Sequence, residues 1–244
     1  MTLTSVPMVK DSTTQSADAD IRVAVSTVIF ALRPSERDPE RRELAIPLVR
    51  RIREPYGDRW ALPGGWLRAG ESLAEAAART LAETTGLAPS YLEQLYAFGA
   101  VDRSPSRVVS IVYWALVRAD EAERSTPADN TAWHSLDAIT ERAGLAFDHD
   151  EIVAYARWRL ENKVGYSRIA QGFLPQRFTL AELRDAHETI TGRRIDPANF
   201  RRQVEATGAI IPTKEFRTGA HRPARLYLTD PDLELAERGP LRER

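Results

Sequence analysis

The sequence contains no cysteine, and this absence removes several kinds of chemistry at once. Disulfide bonds, thiolate nucleophiles and cysteine-ligated zinc sites are excluded for all 244 residues. A chain without disulfides suits a reducing compartment, so we expect a cytoplasmic protein.

Long hydrophobic runs are also missing. No segment approaches the about 20 apolar residues that cross a bilayer, and residues 1–20 lack the layout of a secretion signal. We therefore expect no membrane partner. Lysine is rare as well, since only Lys10, Lys163 and Lys214 occur among 34 basic residues. The formal net charge of -1 gives by itself no indication of nucleic-acid binding.

Composition and periodicity along the chain predict two domains between two tails. Residues 1–20 are rich in Ser, Thr and Asp and are expected to be a mobile tail. An α/β domain is expected at 21–164, a domain of two helices and a hairpin at 165–230, and a second tail at 231–244. The segment 163–175, which ends in a proline, is expected to be a short connector.

The α/β domain has two kinds of apolar pattern. Runs rich in β-branched and aromatic residues predict strands at 21–32, 44–49, 92–98 and 108–117. Apolar residues at helical spacing predict helices at 71–86, where Gly86 is a stop signal, and at 148–162.

The C-terminal domain carries clear start and stop signals. Thr179 followed by Glu182 is a capping-box pattern, and Asp196 followed by Pro197 is an N-cap with proline at the first helical position. The helical segments 178–192 and 196–208 both end in glycine, and a hairpin-like segment follows at 209–230. This order is the layout of a winged helix-turn-helix.

One motif in the first domain has fixed spacing over 23 positions. Gly65 is followed after five residues by Glu71, and after seven more by Arg79, with Glu83 and Gly86 further on. Together with the preceding Trp60–Gly65 segment, this pattern resembles the Nudix box. The resemblance implies an α/β/α sandwich with a mixed sheet.

The chain departs from the family pattern where the family places its metal-binding carboxylates. Three glutamates of the Nudix helix hold divalent cations in that family, and the corresponding positions here are Thr80, Glu83 and Thr84. Because Mg²⁺ is held by carboxylates and phosphates, we expect no metal site and no catalytic residues, with Mg²⁺ needed only for a residual hydrolase activity. A structural alternative is that Glu75, Arg79 and Glu83, four apart, form a row of ion pairs along the helix.

The stretch from Glu93 to Leu116 resembles the corresponding part of Nudix proteins that act on ADP-ribose, in which arginines receive a diphosphate sugar. Arginine suits phosphate because its planar fork makes paired hydrogen bonds. The ligand-binding candidates are Arg50, Arg59, Trp60, Arg79, Glu83, Arg103 and Arg107. For each arginine the alternative is an ordinary solvated surface side chain.

The C-terminal domain is locally basic. Residues 193–225 hold eight basic and three acidic side chains, a balance of +5 that suits a DNA-binding face. Asn199, Arg202 and Gln203 share one face of the second helix and are expected to reach base edges. The full set of DNA-binding candidates is Arg193, Arg194, Asn199, Arg201, Arg202, Gln203, Thr213, Lys214, Arg217, His221 and Arg222.

Residues 178–202 and the HRPARLY segment resemble the C-terminal domain of the Nudix-related transcriptional regulators of NAD metabolism. That resemblance implies a homodimeric repressor that binds a palindromic operator in double-stranded DNA, senses ADP-ribose or a related nucleotide, and requires no cofactor. Two alternatives stay open. One is an active ADP-ribose pyrophosphatase with an accessory domain, and the other is a module whose winged helix binds a protein.

Overall fold

A computed structural model describes residues 20–89, 91–125, 128–166, 168–208, 210–218 and 223–229. The predicted tails therefore lie outside the described residues, apart from Asp20. None of the described helices is long and apolar enough to cross a membrane.

The first domain is built on a seven-stranded sheet in the order β3-β2-β1-β6-β5, in which β4 also pairs with β1 and β7 with β2. The strands are β1 (Arg22–Pro34), β2 (Arg42–Arg50), β3 (Trp60–Ala61), β4 (Gly64–Trp66), β5 (Tyr91–Phe98), β6 (Val108–Leu116) and β7 (Thr131–Ser135). β1 runs parallel to β6, and the other described pairs are antiparallel. The predicted mixed sheet is confirmed.

Helices cover both faces of this sheet. They are α1 (Leu73–Thr85), α2 (Ala119–Arg124), α3 (Leu136–Arg142) and α4 (His149–Tyr166). The central strand β1 is buried on both faces, and its alternation separates two cores. Val28 and Phe30 belong to the core on the α3 and α4 side, whereas Ile29 and Ala31 pack with Leu81 of α1.

The second domain contains a short sheet and two helices. Its elements are β8 (Arg177–Thr179), α5 (Leu180–Thr191), α6 (Pro197–Ala206), β9 (Ile210–Arg217) and β10 (Ala224–Thr229). The strands pair antiparallel in the order β8-β10-β9. The predicted helix-turn-helix and hairpin are present, and their caps lie where the sequence predicts them.

The segment predicted to be a simple connector is instead part of the core. A 3-10 helix spans Ile169–Phe173, and Ile169, Ala170 and Phe173 are fully buried. One continuous cluster of buried side chains includes Ile46 of β2, Phe173 and Leu183 of α5. The two domains therefore share a hydrophobic core.

Candidate ligand and nucleic-acid sites

The motif around Gly65 forms a tight loop that leads into α1. Gly64 lies so close to β1 that an added Cβ would approach the Val25 carbonyl oxygen at 2.8 Å, so the glycine is required there. Ser72 caps α1 in a reciprocal capping box with Glu75. At the other end Gly86 takes the left-handed conformation, with a φ of 70°.

Arg79 of α1 and Glu71 of the preceding loop form a bidentate ion pair. Arg79 Nε donates to Glu71 Oε2 at 2.9 Å and its NH2 group to Oε1 at 2.8 Å. The two side chains are only 20% and 14% exposed. The hydrogen bond from Arg79 and the one from the Arg68 backbone lower the pKa of Glu71 to about 2, and Glu71 in turn raises the pKa of Arg79.

Glu83 lies between two guanidinium groups at the surface. Its Oε2 is 3.3 Å from Arg79 and its Oε1 is 3.6 Å from Arg68. Arg68 and Glu83 are 63% and 56% exposed, so this contact is weaker than the Arg79–Glu71 pair. Arg68 was not among the sequence candidates, because a loop residue 15 positions before Glu83 has no periodic relation to it.

The predicted row of Glu75, Arg79 and Glu83 forms only in part. Arg79 does contact Glu83, but Glu75 turns back to accept a hydrogen bond from the Ser72 backbone at the helix start. Its place is taken by Glu71, which precedes the helix and could not be found from helical spacing.

The two threonines at the family's metal positions have no free oxygen aimed at solvent. Thr80 and Thr84 are buried, and their hydroxyls donate to the carbonyls of Ala77 and Thr80 at 2.9 and 2.6 Å. Glu71 and Glu83 are already paired with guanidiniums. Glu83 is therefore the one carboxylate at the three positions where the family places its metal ligands. Among the described residues there is no group of three His, Cys, Asp or Glu side chains that could hold a metal ion.

Arg103 is the most enclosed of the predicted ligand-binding arginines, with a side chain 5% exposed. It makes a two-pronged pair with Asp148, at 2.8 and 2.6 Å, and donates to Ser110 Oγ at 2.9 Å. The charge of Arg103 is thus neutralised within the protein. Arg107 donates to the Gly99 carbonyl, so both arginines brace the loop between β5 and β6.

The remaining candidates lie together where β2 meets β3. Arg50 and Trp60 are partners in that strand pair, and Arg50 also lies 3.4 Å from Asp58. Trp60 packs edge-on against His134, with ring centroids 4.5 Å apart. Arg59 lies over the ring of Tyr56 at 5.6 Å.

An edge-on aromatic contact that the sequence did not reveal lies next to this position. The Tyr56 ring packs against Phe147 at 4.8 Å, and Arg51 lies over Phe147 at 4.7 Å. Tyr56 and Phe147 have positive φ angles of 66° and 57°, which bulky residues rarely adopt. Tyr56 and Phe147 are 91 positions apart in the chain, so no local pattern could predict this contact.

The second domain presents α6 to solvent, with one anchor in the core. Phe200 is buried and packs against His187 of α5, whereas Asn199, Arg201, Arg202 and Gln203 are exposed. Asp196 caps the helix by accepting a hydrogen bond from the Asn199 backbone. Asn199, Arg202 and Gln203 are thus exposed together on α6, and Arg202 donates to Asn199 at 2.9 Å.

Several predicted DNA-contacting cations are paired with acids of the protein. Arg194 contacts Glu188, Arg201 contacts Glu205, and Arg217 contacts Glu182. No ion pair with a described carboxylate involves Arg193, Arg202 or Lys214, all of which are exposed. These three are the cations most available to a phosphate or base.

The hairpin β9-β10 holds the remaining candidates. Thr213 donates its hydroxyl to the Leu226 carbonyl at 2.8 Å, so this side chain braces the hairpin. Lys214 is exposed nearby. His221 and Arg222 lie outside the described residues.

Comparison with known proteins gives matches for both domains. The model of the NUDIX domain matches residues 24–156, and that of the NrtR DNA-binding winged helix domain matches 171–228. The chain is 33% identical over 189 residues to the ADPR responsive transcriptional repressor NtrR of Acinetobacter baylyi, covering 76% of this chain and 75% of the relative.

Two further likenesses bear on function. The crystal structure of Shewanella oneidensis NrtR complexed with a 27mer DNA matches with a TM-score of 0.75 at 34% identity, covering 86% of this chain and 94% of that one. An ADP-ribose pyrophosphatase of Methanocaldococcus jannaschii is 34% identical over 116 residues, which cover 47% of this chain and 67% of the relative.

Proposed function

Since this chain belongs to the NrtR family, in which a NUDIX domain precedes a DNA-binding winged helix domain, we propose that it is a transcriptional repressor of NAD biosynthesis or salvage genes. Its NUDIX domain senses ADP-ribose or a related nucleotide. Its winged helix binds a palindromic operator in double-stranded DNA. Such a role implies action where the DNA is, which in a bacterium is the cytoplasm.

The exposed basic face of α6 carries the proposal. It lies in a domain that matches the NrtR winged helix, within a chain that resembles a DNA-bound NrtR over 86% of its length. Arg202, Asn199 and Gln203 on that face are suited to base edges, and Arg193 and Lys214 to phosphates. Because operator palindromes match two-fold protein symmetry, the active form is a homodimer.

The NUDIX domain acts in this proposal as a sensor and not as an enzyme. Thr80 and Thr84 replace two metal carboxylates and are used internally, and Glu71 is held by Arg79. The ligand contacts are Arg50, Arg59, Trp60, Arg79 and Arg107, with Arg68 added by its position beside Glu83. Arg103 acts as a positioning residue because Asp148 already neutralises it.

Arg68 and Arg79 supply the positive charge for a diphosphate in this site. An exposed pair such as Arg68–Glu83 is worth only about 0–1 kcal/mol, so a phosphate that bonds both guanidiniums can displace Glu83. The better-shielded Arg79–Glu71 pair meanwhile keeps Arg79 in place. An effector bound there can change repression only if its affinity differs between the conformation that binds DNA and the one that does not.

Hydrolysis of ADP-ribose is the second candidate function. The likeness to the Methanocaldococcus jannaschii pyrophosphatase favours it, as do Glu71, Glu75 and Glu83, which remain in the motif. A turnover assay with ADP-ribose and either Mg²⁺ or Mn²⁺ separates the two. Turnover at ordinary enzyme rates would contradict the sensor proposal.

Sequencing the DNA fragments bound by the purified protein, with and without ADP-ribose, tests the regulatory proposal. The expected result is a palindromic site upstream of NAD biosynthesis or salvage genes, with occupancy that changes when ADP-ribose is added. Fragments without a shared sequence would contradict specific repression, and occupancy indifferent to ADP-ribose would contradict sensing.

A further inference from the structure

A group of aromatic rings is exposed on the first domain, on β5 and α4. Tyr96 on β5 and Trp158 on α4 are 60% and 54% exposed, and Tyr155 is 36% exposed. The rings contact one another in series, since Tyr96 lies 5.9 Å from Tyr155 and Tyr155 lies 5.6 Å from Trp158. Phe98 packs against both tyrosines. We call these four side chains the aromatic surface.

Contiguous exposed aromatic side chains usually mark an interaction site. The aromatic surface adjoins an open sheet edge, because among the described residues β5 pairs with β6 alone. Ala154 lies exposed beside the rings on α4 and extends the apolar area. An unpaired edge beside apolar rings is a template for association with another chain.

Polar contacts fasten the two elements of the aromatic surface together. Lys163 of α4 is 7% exposed, pairs with Glu93 of β5, and donates to the Tyr91 hydroxyl at 2.8 Å. Arg159 lies 3.6 Å from the same Glu93. The strand and the helix therefore present their rings as one rigid unit.

From these contacts we infer that the aromatic surface is the seam between two copies of this chain. The inference rests on the proposed homodimer and assigns its interface. A two-fold axis brings the same patch of each copy together. Such a patch can form an interface only if it carries no unpaired like charges that would face each other. The cations of α4 next to the rings meet this condition, because Arg157 pairs with Asp137 and Glu161, and Arg159 and Lys163 pair with Glu93.

A second copy would cover the exposed parts of these rings. A stable interface buries about 800 Å² on each partner. The rings of Tyr96, Tyr155 and Trp158 still have exposed area to bury, so they can form the apolar centre of such an interface, with the β5 edge at its rim.

The position of the seam gives it a regulatory consequence. α4 carries two of the rings and contacts both the 3-10 helix and α5, the first helix of the DNA-binding domain. A rotation of the copies about the seam therefore changes the distance between their two α6 helices. Half-site spacing on DNA depends on this distance.

The double variant Tyr96→Arg, Trp158→Arg tests the seam by light scattering at micromolar concentration. The wild type is expected to have the mass of two chains and the double variant that of one. Each arginine substitution should weaken dimerisation by about 30-fold or more. Val101→Arg is the control, because Val101 is 78% exposed but lies outside the aromatic surface. A wild-type monomer would contradict the homodimer itself, whereas a double variant that stays dimeric would contradict only the assigned surface.

The lack of native cysteine allows a second test. Ala154→Cys is expected to resist a maleimide in the dimer and to react on dilution, whereas Ala198→Cys on the exposed face of α6 reacts at every concentration. Protection of residue 154 that persists in a chain also carrying Tyr96→Arg and Trp158→Arg, and shown by light scattering to be a monomer, would mean that another part of the same chain covers the rings, and would overturn the inference. Circular dichroism checks that each variant is folded.

Discussion

Arg202 and Lys214 differ in what they can contribute to DNA binding. Arg202 lies on the face of α6 beside Asn199, whereas Lys214 lies on the hairpin. Arg202→Ala should cost about 1–3 kcal/mol and relax the preference at particular base pairs. Lys214→Ala should weaken binding evenly and lower the slope of log K against log salt by about 1. Fluorescence anisotropy with operator variants measures both.

Arg201→Ala is the matched control for this pair of variants. Arg201 is on the same helix but is held by Glu205 at 3.0 Å. Its removal should have a smaller effect than that of Arg202. Equal losses for all three variants would contradict the division into base and phosphate contacts.

His149 links the stability of the first domain to pH. The side chain is buried, its Nδ1 accepts a hydrogen bond from the Leu62 backbone at 2.9 Å, and burial lowers its pKa from 6.5 to about 4. The unfolded state therefore binds more protons between these pH values, and the free energy of unfolding falls as pH drops from 6.5 to 4. His149 accounts for roughly 3 kcal/mol of that fall.

His149→Asn should remove this contribution, because its amide oxygen can accept the Leu62 hydrogen bond without titrating. Urea unfolding at pH 7, 5.5 and 4 would show a shallower pH dependence for the variant than for the wild type. Parallel curves would indicate that His149 is not the titrating group.

At the residue scale, the residue types of the site can be predicted from the sequence, but most of their partners cannot. Arg79 and Glu83 were rightly placed together because helical spacing brings residues four apart into contact. The pairs Arg79–Glu71 and Arg103–Asp148 depend on loops and on a separation of 45 residues in the second case. No periodicity encodes such contacts.

Among the elements, α5 offers a clean test of capping. Thr179 accepts a hydrogen bond from the Glu182 backbone at 3.2 Å, and the Glu182 carboxylate accepts one from the Thr179 backbone at 2.8 Å. Thr179→Ala should therefore lower the free energy of unfolding by about 1 kcal/mol. Thr218→Ala, at an exposed position, should leave it nearly unchanged. Thermal denaturation compares the two, and equal melting temperatures would rule out a stabilising cap.

The elements predicted from sequence were those with strong local signals. The caps at Thr179 and Asp196 and the stop at Gly86 were found because each satisfies backbone groups within a few residues. β3, β4 and β7 were missed because they are short and are fixed by pairing with distant strands. The 3-10 helix was missed because tertiary burial of Phe173 maintains it.

For the whole molecule, the shared core predicts that the domains unfold together. All five tryptophans lie at or before Trp158, so their fluorescence reports on the first domain. Phe173 is fully buried in the cluster that joins the domains. Phe173→Ala should lower the free energy of unfolding by about 3–5 kcal/mol. The unfolding transition followed by tryptophan fluorescence should report the same loss. Phe216→Ala, half exposed on the hairpin, is the control. A tryptophan transition that Phe173→Ala leaves in place would mean that the domains unfold independently.

The acids that hold Arg194, Arg201 and Arg217 carry a consequence for how the protein responds to its ionic surroundings. Binding to DNA displaces condensed cations from the duplex, which is why affinity falls as salt rises. Each carboxylate that loses its arginine to a phosphate must take up a cation from solution. The net number of cations released on binding is therefore smaller. Glu205→Gln should accordingly steepen the salt dependence. These carboxylates act as internal counterions of the arginines. The affinity for the operator should therefore vary less with the cellular salt concentration than the eight basic side chains at 193–225 suggest.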